Sequence, residues 1–242
     1  MRMKAIVPAA GHGTRFLPVT RVVPKEMLPI GSRPALEVIV EEAKGAGADE
    51  VVIVISHGKE MIREYFGGDP SISFVYQEEQ RGLGHAVLQA ADAIGDGRQP
   101  VLILLGDALV AGGSASRELV AMSAAHGGAG VVGLERVPRE RVSRYGIVAM
   151  EGNRIVDMVE KPDPAVAPSD LAVAGRYLLD AGIFGLLRTQ TPGKGGEIQL
   201  TDAIKRMLAE RPVYGCVYSG KRQDIGNPKG YFEALKAMGE NE

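Results

Sequence analysis

Short apolar runs rich in valine and isoleucine recur through the first 135 residues, separated by segments whose apolar positions fall at helical spacing. Residues 4–8, 50–55, 72–76, 101–105 and 130–134 read as strands, and nearly continuous apolar runs of this kind belong to strands buried on both faces. Residues 35–45 and 85–94 read as helices, and 59–66 as two short turns. Strands alternating with helices predict an α/β fold, a doubly wound, mostly parallel mixed sheet flanked by helices. After Glu135 the pattern changes. Residues 145–150 and 154–159 flank Glu151-Gly152-Asn153 and read as an antiparallel hairpin around a Gly-Asn turn. Residues 178–187, 199–210 and 229–238 then read as helices and 213–218 as a late strand, a smaller α+β part. With no proline-rich, serine-rich or charged linker between the parts, residues 1–242 are expected to form one continuous domain.

Charge and cysteine content narrow the partners. The 28 basic side chains nearly balance 30 acidic ones, which leaves no global excess to draw a nucleic acid or an anionic membrane. Cys216 has no second cysteine to pair with, and the histidines show no zinc-ligand spacing with it. The apolar stretch after Lys4 is broken by Pro8 and Gly11, too short for a leader peptide or a membrane span, so a cytoplasmic protein is expected.

The first strand runs straight into Ala9-Ala10-Gly11-His12-Gly13-Thr14-Arg15, at the edge of the sheet where open α/β folds bind ligands. Two glycines let the backbone come close to phosphates, successive N–H groups can form an anion-binding concavity, and Arg15 can add a guanidinium fork. A dinucleotide fingerprint is excluded by Phe16 at its third glycine position, and a Walker loop by the lack of Gly-Lys-Ser/Thr. Taken alone, the glycines are equally those of a turn after a buried strand. Lys25 stands in Pro24-Lys25-Glu26-Met27-Leu28-Pro29, where prolines fix an extended segment and present the ammonium at a set place, as a triphosphate would require.

Gly11-x-Gly13-Thr14-Arg15-x-x-Pro18 followed by Pro24-Lys25-Glu26-Met27-Leu28-Pro29 resembles the signature of the sugar-1-phosphate nucleotidyltransferases, and within them the bacterial enzymes that use UTP and glucose 1-phosphate. The likeness runs from Lys4 to Tyr231 and includes Gly196-Glu197-Ile198-Gln199-Leu200-Thr201-Asp202. It implies a nucleotidyltransferase fold with the nucleotide held by residues up to about 135, and the sugar phosphate by the remainder. It also implies transfer of a uridylyl group from UTP to glucose 1-phosphate, giving UDP-glucose and pyrophosphate with Mg2+ as cofactor. The nucleotide side would comprise Ala9, Ala10, Gly11, Gly13, Thr14, Gln77 and Gly82, the last two reading the base. The metal carboxylates would be Asp107 and Asp224, and the catalytic group Arg15, Lys25, Asp107 and Lys161. Gly146, Glu160, Lys161, Glu197 and Tyr177 would face the sugar phosphate.

Each of these residues has a plainer reading. Gln77 can be a strand-end amide, Asp107 a turn cap, Glu197 a favourable charge at a helix start and Tyr177 core packing. Glu160 and Lys161 are adjacent in an extended strand and share a site only where the chain bends. The substrates are expected to be small molecules. Thymidylyltransferases share the architecture, and a non-catalytic nucleotide-sugar module is a further class, although it would typically lack one of the charged residues present here. The stretches 67–73 and 110–145 are brief where the family makes subunit contacts, so homo-oligomerisation stays open.

Overall fold

The structure is a computed structural model describing residues 3–95 and 99–238; Met1 and Arg2, part of the amino-terminal stretch read above, lie outside the described residues. Among the described residues nine strands form one mixed sheet in the order Ile72–Tyr76, Ala48–Ile55, Met3–Pro8, Pro100–Leu104, Leu171–Asp180, Gly130–Arg136, Val213–Val217, Arg154–Glu160 and Gly146–Glu151. The first four are mutually parallel. Leu171–Asp180 runs antiparallel to both its neighbours. One bridge between Ala172 and Ile147 curls the far end of the sheet back on itself. Strands from before and after Glu135 are thus interleaved in a single sheet.

Alternation along the strands explains the two layers. Ala5, Val7, Ile53, Ile55, Leu102 and Leu104 point to one side and join Leu36, Ile39 and Val40 of the helix Ala35–Gly45. Ile6, Val52, Val54, Val101 and Ile103 point to the other and meet Val87, Phe184, Leu187 and Ile204 from the helices Leu83–Gln89, Ile183–Arg188 and Leu200–Met207. Neighbouring residues therefore serve opposite cores, which is what makes the runs continuously apolar.

The chain after 170 departs from the expected helix over 178–187. Leu178, Leu179 and Asp180 end the strand Leu171–Asp180, and the helix begins only at Ile183. Residues 172–179 are buried without a break, so their pattern carries no period to tell strand from helix. The helix expected over 85–94 is two pieces, Leu83–Gln89 and Ala91–Ile94, divided at Ala90. A helix at Ala115–Ala125 has no counterpart in the reading, since alanine and serine occupy much of its buried face. The hairpin forms as expected, with Gly152 at φ +58 in its turn.

Candidate active site

The parallel strands place four loops along one edge of the sheet. Successive crossovers travel from Met3–Pro8 outward through Ala48–Ile55 to Ile72–Tyr76, then return to Pro100–Leu104 on the other flank of the first strand. The order reverses there, the point at which open α/β sheets place a ligand crevice, here between the loops that follow Pro8 and Leu104. They touch through Gly106, whose N–H donates to the Pro8 carbonyl at 3.1 Å and where a Cβ would stand 2.7 Å from that oxygen. Ala9 and Ala10 are buried beneath the crevice, while Gly11, His12, Thr14 and Arg15 are exposed in it. Gly13 takes φ +65, and a short 3-10 turn follows at Thr14–Phe16. Among the described residues Arg15 makes no ion pair.

Lys25 reaches this crevice from its proline-bounded segment, a 3-10 turn at Lys25–Met27 capped by Pro24. Its ammonium pairs with the Asp107 carboxylate and lies 3.9 Å from Glu26 Oε1. Burial works against the ammonium, but Asp107 and Glu26 outweigh it and hold the Lys25 pKa above the usual value. Glu26, 1% exposed, accepts a hydrogen bond from Lys59 Nζ at 2.8 Å, and the same nitrogen donates to the Ala9 carbonyl. Burial presses the Glu26 carboxyl up and the Lys59 ammonium down, each opposed by the other's charge. The Lys25 turn is thereby fastened beneath the glycine loop.

Asp107 and Asp224, far apart in sequence, converge because Ala108–Ala111 and Lys221–Asp224 pair as an antiparallel ribbon with Asp224 opposite Ala108. The Ile225 N–H donates to the Asp107 carbonyl at 2.9 Å. A Cβ on Gly226 would stand 3.0 Å from Asp107 Oδ2 and 3.0 Å from Asp224 Oδ1, so the two oxygens face one small space that glycine keeps open. Burial would raise the Asp107 carboxyl, yet Lys25 holds it below the ordinary carboxylate range. Two carboxylates and room for other oxygens suit a hard cation such as Mg2+, which keeps most of its ligands as waters or phosphate oxygens. Among the described residues no cluster of three or more His, Cys, Asp or Glu side chains converges as a metal cage.

The strand carrying Asp224 also carries Arg222, which donates to Glu135 Oε1 at 2.6 Å and lies 4.9 Å from the centre of the Tyr145 ring. Tyr145 leads to the hairpin residues. Its carbonyl accepts from the Lys161 N–H at 2.9 Å, and Gly146 pairs with Glu160. Lys161 is the one described non-glycine residue with positive φ, at +47, so the chain does bend where Glu160 and Lys161 needed it to. Their charged ends are 3.2 Å apart. Glu160 accepts from Thr201 Oγ1 at 2.7 Å, and a Cβ on Gly146 would fall 2.9 Å from that hydroxyl.

Gln77, 3% exposed, follows directly on the strand Ile72–Tyr76, with its amide nitrogen 3.0 Å from His85 Nδ1 and 3.4 Å from the Gly82 carbonyl. Gly82 takes φ +103 and backs onto Glu197 and Ile198; a Cβ there would meet the Glu197 Cβ at 2.8 Å. Glu197 itself accepts from Gln199 at 2.8 Å. The structure thus sets Glu197 beside Gly82. Tyr177, expected on the sugar side, has its ring in the core at 3% exposure, and burial raises its hydroxyl pKa.

Four charged residues that hold these pieces have no local signal: Glu26, Lys59, Glu42 and Arg176. Arg176 has no exposed surface and donates from Nη2 to Glu42 Oε2 at 2.7 Å and to the Ala108 carbonyl at 2.6 Å. It pins the strand that begins beside Asp107.

A doubly wound sheet with a glycine loop at its switch point, a fixed lysine and facing carboxylates defines a nucleotide-handling α/β protein. The chain belongs to the nucleotidyl transferase family, whose model matches residues 4–241. It is 39% identical to a UTP–glucose-1-phosphate uridylyltransferase of Bacillus subtilis (strain 168), over 98% of this chain and 89% of that one. A Staphylococcus haemolyticus protein of the same description is 41% identical, over 95% of this chain and 90% of its own length. Among solved structures, UDP-glucose pyrophosphorylase complexed with UDP-glucose superposes with a TM-score of 0.91 at 36% identity, covering 100% of both chains. UTP-bound UGPase from Acinetobacter baumannii gives 0.84 at 33% identity, covering 99% of this chain and 96% of that one.

Proposed function

We propose that this chain is a UTP–glucose-1-phosphate uridylyltransferase, carrying UMP from UTP to glucose 1-phosphate with release of pyrophosphate. The convergence of Lys25, Asp107 and Asp224 on the glycine loop carries the reading, and the identity to uridylyltransferases along nearly the whole chain supports the substrates.

The nucleophile, a phosphate oxygen, is already an anion and needs no general base. Catalysis then consists of alignment and the neutralising of like charges. The amides from Ala9 to Thr14 receive the triphosphate, with Arg15 and Lys25 taking charge on the departing pyrophosphate. Gln77 and Gly82 hold the base through amide and backbone. Gly146 and Glu160 hold sugar hydroxyls, and Lys161 holds the incoming phosphate. Asp107 and Asp224 are the residues that would hold Mg2+, which when bound neutralises charge on the phosphate oxygens. The nucleotide falls to residues up to about 135 and the sugar phosphate to the rest of one domain. No described helix is long and apolar enough to cross a membrane; a cytoplasmic setting accords with the unpaired, buried Cys216.

The test is pyrophosphate release with Mg2+ from UTP, dTTP, ATP and GTP against a panel of sugar 1-phosphates. The expected result is greatest kcat/KM for UTP with glucose 1-phosphate. Faster turnover of dTTP would replace the uridylyl assignment by a thymidylyl one. No release above background from well-folded protein would end the enzyme reading.

A further inference from the structure

Lys25 makes its ion pair with one of the two carboxylates assigned to the metal. Its backbone cannot follow a moving side chain. Met27 N–H is bonded to the Pro24 carbonyl at 2.8 Å, and Glu26 is locked beneath it by Lys59. The lysine stem lies along the glycine loop, its Cγ 3.6 Å from where a Gly13 Cβ would be. The same ammonium therefore has two destinations within the swing of one side chain: Asp107 on one side and the phosphate-facing loop on the other.

We propose that Lys25 is an internal counter-ion that occupies Asp107 until a nucleoside triphosphate draws it off, making divalent-metal binding conditional on nucleotide. This rests on the reading of Asp107 and Asp224 as the metal ligands. With Lys25 on Asp107, a cation entering beside Gly226 meets one carboxylate that carries no side-chain cation among the described residues, Asp224, whose Oδ1 accepts only the Gly226 N–H at 2.9 Å, together with a competing ammonium charge. A triphosphate in the loop adds negative charge where Lys25 can reach it, and the lysine's departure restores the second carboxylate. Nucleotide and metal then bind with positive coupling, and by linkage each raises the other's affinity equally.

The experiment is Mn2+ binding to the full chain without nucleotide, read by the electron paramagnetic resonance signal of free Mn2+, for wild type, Lys25→Met, Lys25→Gln and Lys25→Arg. Lys25→Met and Lys25→Gln should bind Mn2+ at least about tenfold more tightly than wild type, within the usual range of coupling. Lys25→Arg, which keeps the charge, should stay near wild type. Adding Asp107→Asn to Lys25→Met should cancel the gain. Mg2+ alone should raise the Tm of Lys25→Met and leave that of wild type nearly unchanged. If folded Lys25→Met and Lys25→Gln bind Mn2+ no better than wild type, the counter-ion role is wrong. If Mn2+ binding in the presence of a non-hydrolysable UTP analogue is indifferent to both Asp107→Asn and Asp224→Asn, the metal-ligand reading itself is wrong.

Discussion

Arg176, wholly enclosed in the sheet, holds Glu42 of the helix Ala35–Gly45 through Nη2 to Oε2 at 2.7 Å and Nε to Oε1 at 3.0 Å. Breaking such a pair strands a buried charge, which costs about 3–5 kcal/mol. Arg176→Met should lower the free energy of urea unfolding by that much, and Glu42→Gln by a comparable amount, because the amide leaves the charge of a guanidinium with no exposed surface uncompensated. The pair also sets a pH dependence. Burial would raise the Glu42 carboxyl, but Arg176 and Ser116 hold it below the usual carboxylate range. Its stabilising effect is therefore complete above an ordinary carboxyl pKa of about 4.3 and fades as pH falls through the lower folded-state value. Wild type should lose more stability between about pH 5 and pH 3 than Glu42→Gln does.

Lys59 and Glu26 should behave as one unit. Lys59→Met leaves a carboxylate at 1% exposure with only the Lys25 ammonium, 3.9 Å away and paired to Asp107, to balance it, and frees the Ala9 carbonyl. A loss of about 3–5 kcal/mol is expected. In the double variant Lys59→Met with Glu26→Gln, the loss should fall well short of the sum of the two single losses. Additive losses in urea titrations would show the two residues to be independent.

Asp107 and Gly226 test the space between the carboxylates. Asp107→Ala and Lys25→Ala should each lower kcat by about 10²–10³, the size expected for a preorganised charge lost from a transition state. Tm should fall little in Asp107→Ala, whose side chain is 34% exposed, and more in Lys25→Ala, whose side chain is 11% exposed. Gly226→Ala puts a methyl 3.0 Å from both carboxylate oxygens and should force them apart. Its kcat should fall by about 10²-fold in a protein that still folds. Wild-type rates in Gly226→Ala at limiting Mg2+ would remove this space from the site.

Cys216, 4% exposed, has its thiol pushed up to about 11 by burial, helped by Glu118. Below that value the thiol is neutral, and the neutral form is a poor nucleophile. At pH 8 the native protein should therefore resist iodoacetamide, with alkylation appearing only as urea unfolds the chain. Rapid alkylation of native protein, followed by mass spectrometry, would contradict this burial.

Strands such as Ile72–Tyr76 and the helix Ala35–Gly45 were legible because composition and period agree over several residues. Leu171–Asp180 was not, because burial on both faces erases the period. The site divides in the same way. The glycine loop and the PKEMLP segment are continuous in the chain, so their residue types and spacing spoke for them. The joining of Asp224 to Asp107 depends on a two-stranded ribbon whose halves are far apart in the chain, and only resemblance had linked them.

By itself, the sequence determined an alternating α/β framework, a glycine loop at the end of the first strand and a lysine fixed by flanking prolines. These follow from local rules of period, backbone freedom and turn chemistry. Only the tertiary structure decided that Lys25 rests on Asp107, that Gly226 keeps two carboxylates facing one another, and that Glu26, Lys59, Glu42 and Arg176 are buried ion pairs beneath them. A charged residue's burial and partner are set by which distant strands and helices pack against it, and no short window of sequence records that.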